Sequence, residues 1–263
     1  MRNFFIIVLI FSTLQVNAQV GGISASKLAT ICTQTVPAKK IEFEPSLSFA
    51  FAKKYWDSNS NKQIINQDST LVASGASFRF SYGVAENLEI GAAIPVDMST
   101  INYGIKYQFP YSGKLSFAVL GGFNLPLGNQ FYDKKRKFED NTSQIVTGIV
   151  SSLALNDKTS IDFDAQFQKH TKKLETGHKN DLFLNSDIGF YAKEGIQFAF
   201  GTNYYASKYE NAQNDVQLLS LNAGITIEHA ENFIVVLNTP IDVWGKNIEK
   251  FIGFGFALTI LIE

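Results

Sequence analysis

From Ile41 to the end of the chain, bulky apolar residues alternate with small or polar ones, and this period of two constrains the fold more than any other feature. Side chains on a strand point alternately to its two faces, so such a pattern makes strands with one greasy and one polar face. It is plain in Ile41-Glu42-Phe43-Glu44, in Phe78-Arg79-Phe80-Ser81-Tyr82, and from Ile101 to Phe109. It recurs from Ile161 to Gln168, and the final segment sets Phe254, Phe256, Leu258, Ile260 and Ile262 on one face. No comparable stretch has a helical period. The pattern predicts twelve strands, at 41–52, 71–82, 88–96, 100–109, 114–125, 143–155, 159–169, 181–192, 195–207, 216–228, 232–241 and 248–262. Most are close to the roughly 9–11 residues that a tilted strand needs to cross a bilayer.

The connections are expected to sort by length. Short turns fall at 83–87, 110–113, 156–158, 193–195 and 230–232, whereas 53–70, 126–142, 170–180, 208–215 and 242–247 read as longer polar loops, with a brief link at 97–99. One loop carries Asp133-Lys134-Lys135-Arg136-Lys137. Short turns at one end and long loops at the other are the pattern of outer-membrane barrels, with the short turns periplasmic. Two units, Ala85-Glu86-Asn87-Leu88 to Pro95-Val96-Asp97 and Ala230-Glu231-Asn232-Phe233 to Pro240-Ile241-Asp242, repeat a turn followed by a strand that proline is expected to end.

Composition decides which two-faced sheet this is. Hydrophobic residues make up 45% and charged residues only 18%, against about 25% charged in a soluble domain. The net charge is -1, which excludes a general affinity for nucleic acid. At the start, Arg2, the apolar run Phe4–Phe11 and Val16-Asn17-Ala18 read as a secretory signal cleaved before Gln19. The run is too short for a spanning helix. The single cysteine, Cys32, lies beyond the expected cleavage point, makes no internal disulfide and lacks a lipid-attachment context. An exported, aromatic-rich chain without membrane helices is expected to be all-β: a transmembrane antiparallel up-and-down barrel of about twelve strands. The division is 1–18 signal peptide, 19–40 periplasmic leader or plug, and 41–263 outer-membrane barrel. A soluble β-sandwich is the rival fold, because period two alone does not say whether lipid or a core meets the apolar face.

From Tyr82-Gly83-Val84-Ala85-Glu86-Asn87-Leu88-Glu89-Ile90-Gly91 through Pro95 and on to Tyr103-Gly104-Ile105-Lys106-Tyr107, the chain resembles the outer-membrane family named for the meta-pathway of phenol degradation. The likeness covers about residues 70–130. It implies an outer-membrane barrel that passes small organic solutes, and it brings no catalytic motif. The ending Leu261-Ile262-Glu263 departs from the terminal aromatic that barrel-assembly machinery commonly reads.

With the apolar face outward, the inward set includes Glu42, Glu44, Arg79, Glu89, Lys106, Gln108, Asp162, Asp164, Gln166, Asp187, Asn203, Asn222 and Glu228. Of these, Glu42, Glu44, Arg79, Glu89, Lys106, Asp162, Asp164, Asp187 and Glu228 are the candidate lumen-lining charges. They suit a hydrated interior better than a dry core. Arg79 and Lys106 are expected to pair with neighbouring carboxylates, and the plain role for each charge is a wet cross-strand network. Twelve strands tilted near 40° give a cylinder about 24 Å across. Aromatic girdles are expected at Tyr55, Trp56, Tyr107, Tyr111, Tyr191, Tyr204, Tyr205 and Trp244.

No residues are assigned to catalysis, to a cofactor or to a resident metal. His170, His178 and Glu175 flank one outer loop and form a weak candidate for metal binding, while His229 sits at an inner turn. The leading reading is a passive channel for small, aromatic or otherwise apolar solutes, gated by outer loops and by residues 19–40. The alternatives are a structural or adhesive barrel acting through loops 53–70 and 126–142, and a lipid-modifying enzyme. Expected partners are outer-membrane lipid, the barrel-assembly machinery and a small solute, with no nucleic acid.

Overall fold

A computed structural model describes residues 20, 22–24, 28–65, 70–127, 142–230 and 232–263. The signal-peptide expectation and the charged run 133–137 lie outside these residues.

The alternating segments form strands β1 (Ile41–Trp56), β2 (Lys62–Ile64), β3 (Leu71–Ala85), β4 (Leu88–Pro95), β5 (Thr100–Gln108), β6 (Leu115–Pro126) and β7 (Gln144–Asn156). They continue with β8 (Thr159–His170), β9 (His178–Lys193), β10 (Ile196–Tyr209), β11 (Val216–Ala230), β12 (Phe233–Lys246) and β13 (Ile248–Ile262). Apart from β2, which only extends the outer end of β1, each strand pairs antiparallel with its neighbours in sequence. Pairing of β13 with β1, from Ile41 opposite Ile262 to Trp56 opposite Ile248, closes a barrel of twelve strands. Closure leaves no long unpaired edge, which backbone in a hydrocarbon environment requires.

The apolar face points outward. Leu47, Phe49 and Phe51 on β1, Ile149 on β7, Phe200 on β10 and Ile252 and Phe254 on β13 are all exposed. Their neighbours Ala50, Ala52, Val150 and Ala199 are buried. A belt of this kind around a closed sheet has no stable contact with water. Lipid chains satisfy it, and the soluble sandwich is excluded by the single closed sheet and by the direction its phenylalanines face.

Three local expectations need correction. The stretch 242–247 is not a long loop: β12 runs to Lys246 and β13 starts at Ile248, with Asn247 at φ 52° making the turn. A short polar side chain tolerates that left-handed geometry better than most. Pro240 does not end its strand but lies inside β12, opposite Asn222 of β11. Its missing N–H instead coincides with a gap in the β12–β13 ladder between the Asn238–Gly255 and Ile241–Ile252 pairs. The expected loop 53–70 contains β2 and a turn at Asp57. There the N–H groups of Asn61 and Asn59 and the Gln63 amide donate to the carboxylate and hold it below the usual carboxylate range.

Candidate functional site

The interior of the barrel is occupied. The described residues between 20 and 36 carry no regular secondary structure, yet most of them are buried. The backbone of such a segment has no ladder of its own, and each buried N–H and C=O must find a partner. The wall strands supply them. Gln166 Oε1 accepts from the Val20 amide at 2.8 Å and Glu89 Oε1 from the Ser24 amide at 2.7 Å. Asp187 Oδ2 accepts from Leu28 and Thr30, both at 3.2 Å, and Asp164 Oδ2 from Ile31 at 2.9 Å. Ser152 Oγ takes the Thr33 amide at 3.1 Å, and Glu89 Oε2 takes that of Val36 at 2.7 Å.

The basic groups take the carbonyls. Lys106 Nζ donates to Ser24 O and Cys32 O, each at 3.2 Å, and to Ser24 Oγ at 2.8 Å. Arg79 donates through Nη1 to Ile23 O, and Ser81 Oγ donates to Gly22 O at 2.9 Å. Acids and bases on the wall thus stand in for the acceptors and donors of a neighbouring strand.

The central pair is Glu89 with Lys106, 3.2 Å apart and both fully buried. Such a pair is tolerable only when further hydrogen bonds satisfy it, and here Ser24 and Val36 provide them. Farther from the short-turn end, Arg79 Nη2 lies 2.7 Å from both Glu42 and Glu44. Thr259 Oγ1 also donates to Glu44, at 2.6 Å. Asp164 further accepts from Gln166 and Asn185. Asp162 is buried one inward position along β8 from Asp164, at a register position facing Asp187. Glu228 accepts the Tyr191 hydroxyl at 2.6 Å. Five of the nine candidate charges, Arg79, Glu89, Lys106, Asp164 and Asp187, bond directly to described residues of the segment. Backbone groups of the segment take hydrogen bonds that the sequence reading gave to water.

Sequence reasoning missed the seat on which the segment rests. Val20, Ile23 and Ile31 pack with Ala118 and Leu120 of β6 and Val146 and Val150 of β7 in one buried cluster. These four wall residues sit at inward positions, where a wet lumen wants polar side chains. Aliphatic residues on both faces of adjacent strands were the available signal. Two wall glycines admit the backbone: a Cβ on Gly91 would overlap the Gly22 carbonyl, and one on Gly83 would overlap those of Val36 and Pro37. Both belong to the Tyr82–Gly91 motif.

Trp56 does not join a girdle. It is buried at the long-loop end against Gly245. Tyr205 also turns inward, with its hydroxyl 3.0 Å from Asp181, whereas Tyr55, Tyr107, Tyr111 and Trp244 are exposed. His170 and His178 come together at the long-loop end, but their carboxylate neighbour is Asp181, and Glu175 is exposed on the loop.

No family model and no curated protein matches the sequence. Solved structures do match its fold. An outer-membrane channel from Pseudomonas putida F1 superposes with a TM-score of 0.69 at 10% identity, covering 88% of this chain and 98% of the other. The KdgM porin in complex with disordered oligogalacturonate gives 0.52 at 8% identity over 84% and 98%. The NanC porin gives 0.51 at 6% identity over 82% and 99%. At these identities the likeness is one of fold.

Proposed function

We propose that the chain is an outer-membrane channel for small solutes and that residues 19–40 set whether its lumen conducts. The observation that carries this is the seating of residues 20–36 by hydrogen bonds between their backbone and wall carboxylates and bases. A barrel of purely structural use needs no such fitted filling. The short-turn end, where the chain enters β1 and leaves β13, is taken as periplasmic, so the segment enters from that side. Its release uncovers an aliphatic strip, Ala118, Leu120, Val146 and Val150, facing a wall of carboxylates and amides. Such a lumen suits small solutes with an apolar body and a polar group, the class implied by the resemblance of the Tyr82–Tyr107 region.

Planar-bilayer conductance and liposome swelling test the proposal. The wild-type barrel is expected to conduct weakly. A variant lacking residues 20–36 is expected to conduct several-fold more and to admit small organic solutes. A deletion variant that folds, judged by its heat-dependent gel mobility, yet stays closed would sink the channel reading. It would favour a barrel that acts through its loops.

A further inference from the structure

At the long-loop end, His170 closes β8 and His178 opens β9 across the loop 171–177. The loop is shaped rather than slack. Leu174 is buried, Gly177 takes φ 74° and donates to Leu174 O at 3.1 Å, and Glu210 N donates to Gly177 O at 2.8 Å. These contacts hold the two histidines side by side.

Their hydrogen bonds assign the ring protons. A carboxylate only accepts, so Asp181 Oδ1, 2.9 Å from His178 Nε2, requires a proton on that nitrogen. The lone pair of neutral His178 is then on Nδ1. For His170, the Gln144 amide oxygen is taken by Asn124 Nδ2 at 3.1 Å, so its nitrogen faces His170 Nε2 at 3.2 Å and donates to it. Thr142 Oγ1 lies 2.9 Å from the other ring nitrogen, Nδ1, and accepts its proton. His170 Nε2 and His178 Nδ1 lie 3.0 Å apart.

We propose that His170 Nε2 and His178 Nδ1 bind one divalent transition-metal ion of the zinc, nickel or copper class at the mouth of the barrel, with Asp181 orienting the His178 ring. Two tetrahedral ligands at zinc–nitrogen distances stand about 3.3 Å apart, a few tenths of an ångström beyond the present spacing. Imidazole nitrogen selects these ions over calcium or magnesium, which take oxygen. A carboxylate on the far nitrogen of a ligating histidine fixes its tautomer and raises its basicity. Asp181 is itself held by the Tyr205 hydroxyl at 3.0 Å, and Ser207 Oγ lies 2.9 Å from His178 Nε2. The donor atoms of His170, His178 and Asp181 all lie within 4.8 Å of one another. A bound ion would clip β8 to β9 beneath the 171–177 loop. The rival occupant of the gap is a proton in a direct hydrogen bond between the two rings.

The test is calorimetric titration of untagged, folded barrel in detergent with zinc chloride at pH 7.5. One ion per chain is expected. Affinity should fall at least tenfold in His170→Asn and in His178→Asn, and about tenfold to a hundredfold in Asp181→Asn. The His229→Asn variant, in β11 near the opposite end, should match wild type. Binding should weaken in acid, where protons compete with the metal for the ring nitrogens. No zinc binding by the wild-type barrel would overturn the site and leave the proton as occupant; so would equal affinity in folded His170→Asn and His178→Asn barrels. Should those variants not fold, the copper(II) electron paramagnetic resonance spectrum of the wild type decides. Coupling to two imidazole nitrogens supports the site, and its absence refutes it.

Discussion

Gly91 has no side chain, and the Gly22 carbonyl occupies the space where one would begin. Adding even a small side chain forces the segment off the wall or bends β4. Gly91→Val is expected to leave a folded barrel with raised conductance, read by single-channel recording. Glu89 poses the complementary case. In Glu89→Gln the shape survives, but Lys106 is left buried without its counter-charge, a loss of about 3–5 kcal/mol in comparable settings. Cys32 reports the consequence, since it is buried in the segment and is the protein's only cysteine. Maleimide labelling of native wild-type protein should be slow and should quicken at least tenfold in Glu89→Gln. Equal labelling rates would mean that the pair does not hold the segment. The charge at Glu89 could be read from alternation, and its pairing with Lys106 followed from simple electrostatics. Its bonds to Ser24 and Val36 were not legible, because they join parts of the chain 65 and 53 residues apart.

At the scale of elements, the strands were legible and their ends less so. Period two persists wherever one face meets lipid, so β3 to β11 appear close to where alternation puts them. The end of β12 was misjudged because a proline and a run of polar residues read as a loop. In a barrel, residues beyond the hydrocarbon zone still pair, and Asn247 turns the chain in one residue. The seam between β1 and β13 carries the closure, and Phe254 lies opposite Phe49 on its lipid face. Phe254→Arg is expected to cost about 2–4 kcal/mol if it lies near the bilayer midplane. Urea titration in lipid vesicles should show the loss, along with a smaller folded fraction on unboiled gels. A neutral result would place that side chain at the membrane surface instead. At the chain's end, Glu263 pairs with Lys40 at 3.0 Å. Both groups are substantially exposed, so the pair adds little stability.

For the whole molecule, closure and filling are separate matters. Closure depends on the apolar exterior and on ladders that run round the barrel. Filling depends on one segment of 20–36. Removing the segment should therefore open the lumen while the barrel still resists unfolding in detergent, seen as a retained shift between heated and unheated gel mobility. Loss of that shift on deletion would show the segment to be part of the barrel's core instead of its stopper.

The sequence by itself determined the class of fold. A local two-residue rhythm, the excess of aromatics and the poverty of charge suffice for a lipid-facing closed sheet, because the solvent on each face acts on every residue separately. It also picked out the charges expected on the inward face. Only the tertiary structure decided what those charges do. Whether a buried carboxylate meets water, an arginine or a backbone N–H from residue 24 depends on which distant segment fills the cylinder, and no local period records that. The meeting of His170 with His178 is of the same kind. Eight residues apart in sequence, they become neighbours only when β8, β9 and the loop between them bring two ring nitrogens to 3.0 Å.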